Sequence, residues 1–175
     1  LPISVEATAG GAQPARAQHV VTVPRLTPEI RVYPADQTVP LTTDYRPTLL
    51  PIAVKLVPAR DFTAARLSLS YDPAIIEPLY VSRGEAFVEA GRLLSPWSAG
   101  RQQFGAITDI GGQRTDAPAL NLPEVTLFTI VVMVKQPGET AISLEPASLL
   151  SADTGEVACR AVPGRVIVEP TEEIQ

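Results

Sequence analysis

The 175-residue chain is short of the side chains on which most enzymatic chemistry rests. It has one cysteine, Cys159, so no intrachain disulfide can form. It has one histidine, His19, in a stretch without hydrophobic periodicity. A serine or cysteine nucleophile needs a base beside it, and neither a G-x-S-x-G run nor a second histidine supplies one. Cys159, within EVACRAV, reads as a small apolar filler in a strand. Aromatic residues make up only 5% of the chain, too few to line a sugar-cleaving cleft around a carboxylate pair drawn from its scattered acids. No run of basic residues exists and the net charge is −5, which argues against nucleic acid as a partner. No apolar run approaches the about 20 residues of a membrane helix, so this segment is expected not to insert in a membrane.

Metal and cofactor signals are equally sparse. Asp109-Ile110-Gly111-Gly112 has the form of a strand end, and Asp153-Thr154-Gly155-Glu156 that of a hairpin turn. Neither has the dense oxygen spacing of a calcium loop. Zinc spacing is absent, and Gly111-Gly112 lacks the strand-to-helix setting of a phosphate cradle. No catalytic residue, metal or cofactor is expected. The opening residues lack the charged-then-apolar form of a leader, and residue 1 reads as a mature or trimmed start.

What the chain does have is punctuation. Eighteen prolines and eleven glycines fall between short apolar runs, as in a protein of many strands and turns. Residues 1–28 are rich in Ala, Gly, Pro and Gln and read as a linker or N-terminal extension, with HVVTV as one short edge strand. Residues 29–169 read as one β-sandwich domain, and residues 170–175 as a C-terminal tail. Strands are expected over 29–33, 48–57, 64–71, 78–82, 101–110, 125–135, 140–144 and 149–151. A closing hairpin of 156–161 and 165–169 should turn at Pro163-Gly164. Pro51 cannot donate to a ladder, which predicts an edge or a bulge in its strand. VTLFTIVVMVK is apolar on both faces and should be a central strand covered on both sides. One short helix is expected over 85–94, with Phe87, Ala90 and Leu94 on one face. About nine strands at this spacing make an all-β, two-sheet sandwich of jelly-roll type with little helix.

The run ARLSLSYDPAIIEPLYVSRG combines several of these signals. Leu67, Leu69 and Tyr71 alternate with Arg66, Ser68 and Ser70, the period of a half-buried strand. Asp72 can bond a backbone N–H in the following turn, and Pro73 has its φ already set for one.

The same run, L-S-L-S-Y-D-P-x-x-I-E followed by V-x-x-G, resembles the cohesin domain family. VTLFTIVVMVK is similar to the cohesin strand G-x-F-A-x-I-x-F-x-V-K. The stretch GETAISLEPASLLSADTGEVACRAVPGRVIVE is similar to the cohesin ending of G-x-x-x-I-x-L, F-x-D-x-x-G and G-x-I-x-V. Together these cover residues 29–169. The resemblance implies a nine-stranded jelly roll related to cellulose-binding modules. It implies a non-catalytic extracellular or cell-surface module that binds dockerins, small calcium-loaded helical pairs, through a flat sheet face, with a role in polysaccharide-degrading assemblies. On a loose alignment it places Arg66 where many cohesins carry an acidic or polar contact residue, Trp97 near an aromatic contact, and Asp109 and Gly112 near an acid and a glycine used in recognition. Ser68 and Ser70 share the face of Arg66. The bland reading keeps Arg66 and Asp109 as solvated strand residues and Trp97 as an anchor at a loop–strand junction. Direct carbohydrate binding and a spacer role in a surface or secretion protein are the alternatives. A coplanar aromatic row containing Trp97 would favour a glycan, and a flat patch around Arg66 a protein.

Overall fold

The computed structural model describes residues 3–6, 16–19, 26–41 and 47–170. Strands β1 (Ile3–Glu6) and β2 (Arg16–His19) pair antiparallel with each other, so the opening segment carries a small sheet that its composition did not announce. Of HVVTV, only His19 lies among the described residues. The rest of the tail, residues 171–175, lies outside them.

The sandwich starts with β3 (Glu29–Tyr33), β4 (Asp36–Pro40), β5 (Leu49–Val57), β6 (Ala59–Ser70) and β7 (Ile76–Arg83). A single 3-10 turn over Glu85–Phe87 leads to the short hairpin of β8 (Val88–Glu89) and β9 (Arg92–Leu93). Then come β10 (Trp97–Gln103), β11 (Ala106–Gln113), β12 (Leu120–Leu122), β13 (Val125–Val134) and β14 (Gly138–Ser151). The chain closes with β15 (Gly155–Glu156), β16 (Arg160–Val162) and β17 (Gly164–Glu169). One sheet has the order β10-β11-β6-β14-β17-β4, with β12 on β6 and β15 on β14; the other has the order β16-β3-β5-β13-β7. The protein is an all-β sandwich.

Alternation builds the core. Ile52, Val54 and Leu56 from β5, Ile130 and Val132 from β13, and Ile30 and Val32 from β3 face Phe62, Leu67 and Leu69 of β6, Ile107 and Ile110 of β11, and Ile142 and Leu144 of β14. Each such fully buried aliphatic chain contributes about 1.5–3 kcal/mol relative to exposure. The Tyr71-Asp72-Pro73 turn forms as its residues predict: Asp72 Oδ1 accepts from the Ala74 N–H at 2.8 Å, and the Asp72 N–H donates to the buried Thr140 hydroxyl at 2.8 Å.

Four local expectations fail, each for a physical reason. The 85–94 helix does not form. After one turn, Ala90 (φ 48°) and Gly91 (φ 77°) make a tight hairpin turn, and the Leu94 N–H returns to Phe87 O at 2.9 Å. The 101–110 strand is two strands, β10 and β11, because Phe104-Gly105 (Gly105 φ 74°) folds the chain back on itself. The strands expected at 140–144 and 149–151 are one, β14, whose register shift between Pro146 and Ser148 absorbs the proline as a bulge. Pro51, by contrast, sits at a local edge as expected: β3 ends at Tyr33 opposite Ala53, so beyond that point β5 has only β13 beside it. Finally, β16 and β17 are not a hairpin. They belong to different sheets, each parallel to a strand of the β3–β4 pair. Gly164 makes this crossing possible, since a Cβ there would lie 2.4 Å from Val32 Cγ1. The central strand β13 is where it was expected, but its outward residues Thr129, Val131 and Met133 are only half-buried.

Two interior features fix the eight-stranded sheet. Gly111 (φ 146°) brings β11 so near β6 that a Cβ would fall 2.0 Å from Ala65 O. Arg114, 4% exposed, donates from Nε to Pro118 O at 2.8 Å, from Nη1 to Ala86 O at 2.6 Å, and from Nη2 to the Glu89 carboxylate. It thereby ties the 3-10 turn and the β8–β9 hairpin to the end of β11. Gly111→Ala is expected to lower the unfolding free energy by about 3 kcal/mol or more, through backbone overlap that cannot relax. Gly155→Ala, at φ 72° but facing open space, should cost about 1–2 kcal/mol. Urea denaturation of the two variants checks the ranking. Arg114→Met should cost about 3 kcal/mol, because it orphans the acceptors that the guanidinium satisfies; a midpoint equal to wild type in the same titration would contradict that role.

Candidate functional site

The outer face of β10-β11-β6-β14 is polar. Residues directly opposite one another in an antiparallel pair point to the same side. One row across the sheet is therefore Ser98–Gly111–Arg66–Ser148, and another is Gln103–Ala106–Ser70–Ser143. Between them lie Arg101, Thr108, Ser68 and Glu145. Their inward neighbours Leu67, Leu69, Ile107, Ile110 and Leu144 are all buried, which holds the outward side chains on a rigid plate.

A bulge in β11 centres this face. The register of β11 against β6 slips between Ile107 and Ile110, and Asp109 takes a left-handed backbone (φ 63°). Aspartate tolerates that conformation better than most residues. The bulge aims the Asp109 carboxylate toward the neighbouring β6, where Oδ1 accepts from Arg66 Nη1 at 2.7 Å. The two side chains are 36% and 53% exposed. An exposed pair of this kind contributes about 0–1 kcal/mol to stability, so its consequence is geometric: it holds both charged ends at one spot. Arg101 and Glu145 flank it, each without an ion-pair partner among the described residues.

The structure thus brings together Arg66, Ser68, Ser70 and Asp109. Trp97 and Gly112 lie on the other side of the same sheet. Trp97 pairs with Gly112, which pairs with the buried Ala65. The indole packs 5.2 Å from the buried Phe87 ring, with the Arg83 guanidinium 5.4 Å from its centroid. Gly112 makes the space: a Cβ there would lie 2.7 Å from Pro96 O and 3.1 Å from Trp97 Cε3. Trp97 is a half-buried anchor, and the outer face has no aromatic residue among those described.

Three residues on this face or at its rim went unnoticed in the sequence. Phe104, at the tip of the β10–β11 turn, is 95% exposed at the rim. Gly105 beside it was the available signal, and it was submerged in a single long strand. Arg101 and Glu145 carry no local signal, since pairing alone puts them beside Arg66.

Burial pushes the Cys159 thiol above its usual pKa, the reverse of what a nucleophile needs. Among the described residues no group of three or more His, Cys, Asp or Glu is placed to hold a metal ion. A cavity of about 560 Å³ between the sheet ends has Leu56, Phe62 and Leu149 on its floor and Arg60, Asp61 and Glu156 at its rim, but neither cysteine nor histidine among its described lining.

No protein-family model matches the sequence, and no curated protein does. Solved structures do match the fold. A non-cellulosomal cohesin from the hyperthermophilic archaeon Archaeoglobus fulgidus superposes with a TM-score of 0.63 at 16% identity, over 84% of this chain and 94% of that one. The seventh ScaB type I cohesin from Pseudobacteroides cellulosolvens gives 0.67 at 12% identity, over 85% and 96%. A type I cohesin–dockerin complex from Clostridium thermocellum gives 0.61 at 16% identity, over 82% and 100%. The chain has the β-sandwich fold of cohesin domains.

Proposed function

We propose that residues 29–169 are a non-catalytic docking module of cohesin type, which receives a dockerin-like protein on the outer face of β10-β11-β6-β14 in an extracellular or cell-surface assembly. The observation that carries this reading is the face itself: a polar, serine-rich surface with one oriented ion pair, Arg66–Asp109, at its centre. Standard protein interfaces carry about ten direct hydrogen bonds and are enriched in Arg, so an oriented Arg66 among hydroxyls suits a folded helical partner. Ser68, Ser70 and Ser148 offer hydroxyls around the pair, Arg101 and Glu145 offer charges of both signs, and Phe104 offers an apolar anchor at the rim. The fold shared with cohesins, one of them solved in complex with a dockerin, agrees with this reading. A glycan platform finds no support on this face, because its aromatic rings are turned inward or stand alone at the rim. Polysaccharide would then enter only through what a bound partner carries.

Calorimetric titration of the chain with calcium-loaded dockerin modules encoded in the same genome is the direct test. Binding is expected, and Arg66→Glu should weaken it by about 30-fold, because a reversed charge at the centre of an interface costs about 2 kcal/mol. Absence of binding to every such module, or an unchanged affinity in Arg66→Glu, overturns the assignment. Trp97→Ala should behave differently. It is expected to lower stability by about 3 kcal/mol while leaving the affinity of the folded fraction within about twofold, read by denaturation and titration on the same sample.

A further inference from the structure

The cavity between the sheet ends has a chemistry that the docking face does not use. It lies where the β5–β6 junction at Pro58, the end of β14 and the β14–β15 turn come together. Its volume of about 560 Å³ is that of a small-molecule site. Leu56, Phe62 and Leu149 form an apolar floor, built by the inward alternation of β5, β6 and β14. The rim is charged and unbalanced. The described lining carries three carboxylates, Asp61, Asp153 and Glu156, against one guanidinium, Arg60. Asp61 and Glu156 have no ion-pair partner among the described residues.

We propose that this cavity binds a small amphipathic amine, its apolar body on the floor and its ammonium group at the Asp61 and Glu156 carboxylates. Three observations select that ligand. First, the excess of carboxylates over guanidinium favours a cation and repels an anion of the same size. Second, Asp61 is held in place without being neutralised. Its Oδ1 accepts from Asn121 Nδ2 at 3.0 Å, and its N–H donates to Asn121 Oδ1 at 3.0 Å. Asparagine is uncharged, so β12 fixes the carboxylate and leaves its charge to a ligand, for which a charge-assisted hydrogen bond is the strong kind. Third, no three of His, Cys, Asp or Glu among the described residues are placed to hold a metal ion. The acids are therefore spread along the rim, which suits an organic cation beside an apolar floor better than a point charge.

Other ligands satisfy only part of the site. A neutral apolar molecule would cover the floor and leave the rim carboxylates without a partner. An anion would have Arg60 alone to set against three acids. The cavity also shares no residue with the docking face. Leu149 of β14 points inward opposite the buried Ala65, while its neighbour Ser148 points outward opposite Arg66. Amine binding and partner docking therefore stand or fall separately.

An NMR titration of the 175-residue chain with n-hexylamine tests the site, at about pH 7, where an alkylamine is protonated. Amide signals of residues 149–158 should shift together and saturate below about 10 mM. Lengthening the ligand to n-octylamine should tighten binding by up to about fourfold per methylene. Hexanoate, with a body of the same kind and the opposite charge, should bind at least about tenfold more weakly, and 1-hexanol should fall between the two. This comparison uses the wild-type chain, so it holds even if a substitution disturbs the fold. Asp61→Asn with Glu156→Gln should weaken hexylamine binding by about fivefold; asparagine tolerates the left-handed backbone at residue 61 (φ 48°). Ala158→Trp, at an exposed residue of the lining, should fill the mouth and remove the saturable shifts. Arg66→Glu should leave amine binding unchanged. No saturable shift with either amine, hexanoate binding as tightly as hexylamine, or an affinity untouched by the double substitution and by Ala158→Trp overturns the proposal.

Discussion

Strand β6 is the member to which the eight-stranded sheet is referred. It pairs with β11 on one side and with β14 on the other, and β12 extends the β11 side near its start. Its alternation decides two things together. Leu67 and Leu69 must go inward to bury their surface, so Arg66, Ser68 and Ser70 must go outward. A one-residue slip would exchange the two sets and place an arginine in the core. The approach of β11 enforces the register, because only a glycine at 111 clears the Ala65 carbonyl. The position of Arg66 on the outer face is in this sense a consequence of core packing, and the bulge that turns Asp109 toward it is a local adjustment on a frame already set.

The two outer faces divide the surface by chemistry. On the β6 side, serines, threonine and charged residues lie over a rigid inner layer, and the Arg66–Asp109 pair supplies direction at little energetic gain. On the β13 side, Val131, Met133, Leu49 and Tyr80 leave apolar surface exposed, with the ion pairs Lys55–Glu124 and Lys135–Glu77 at the margins. VTLFTIVVMVK was apolar on both faces for this reason: one face belongs to the core, and the other is half-buried by its neighbours without being covered.

Local pattern carried most of the strand assignments and the Asp72 turn, because side-chain period and turn chemistry act within a few residues. It failed where a residue had two local meanings. Ala90-Gly91 could break a helix or turn a hairpin; in the hairpin form Phe87 and Leu94 are both buried and the Leu94 N–H bonds Phe87 O. Phe104-Gly105 was hidden by the polar run Arg101-Gln102-Gln103, which has no alternation to interrupt. Pro163-Gly164 looked like a hairpin turn and is a crossing between sheets; that depends on Val32, far away in the chain, leaving room for a glycine and nothing larger. Of the residues singled out for function, Arg66, Ser68, Ser70 and Asp109 share one face and Trp97 and Gly112 another, a division that pairing register alone decides.

By itself, the sequence determined that the protein is a many-stranded β-sandwich, that Leu67, Leu69 and Tyr71 face inward, and that histidine and cysteine chemistry has almost nothing to work with. Those conclusions follow from composition and from periods of two residues, both properties of the chain alone. Only the tertiary structure decided that Asp109 meets Arg66 on the neighbouring strand, that Trp97 turns away from both, that Phe104 stands at the rim, and that one sheet presents polar groups outward while the other presents more apolar ones. Each of these depends on which strands become neighbours and in what register, and that is settled by burying two inner faces at once, across contacts between residues distant in sequence.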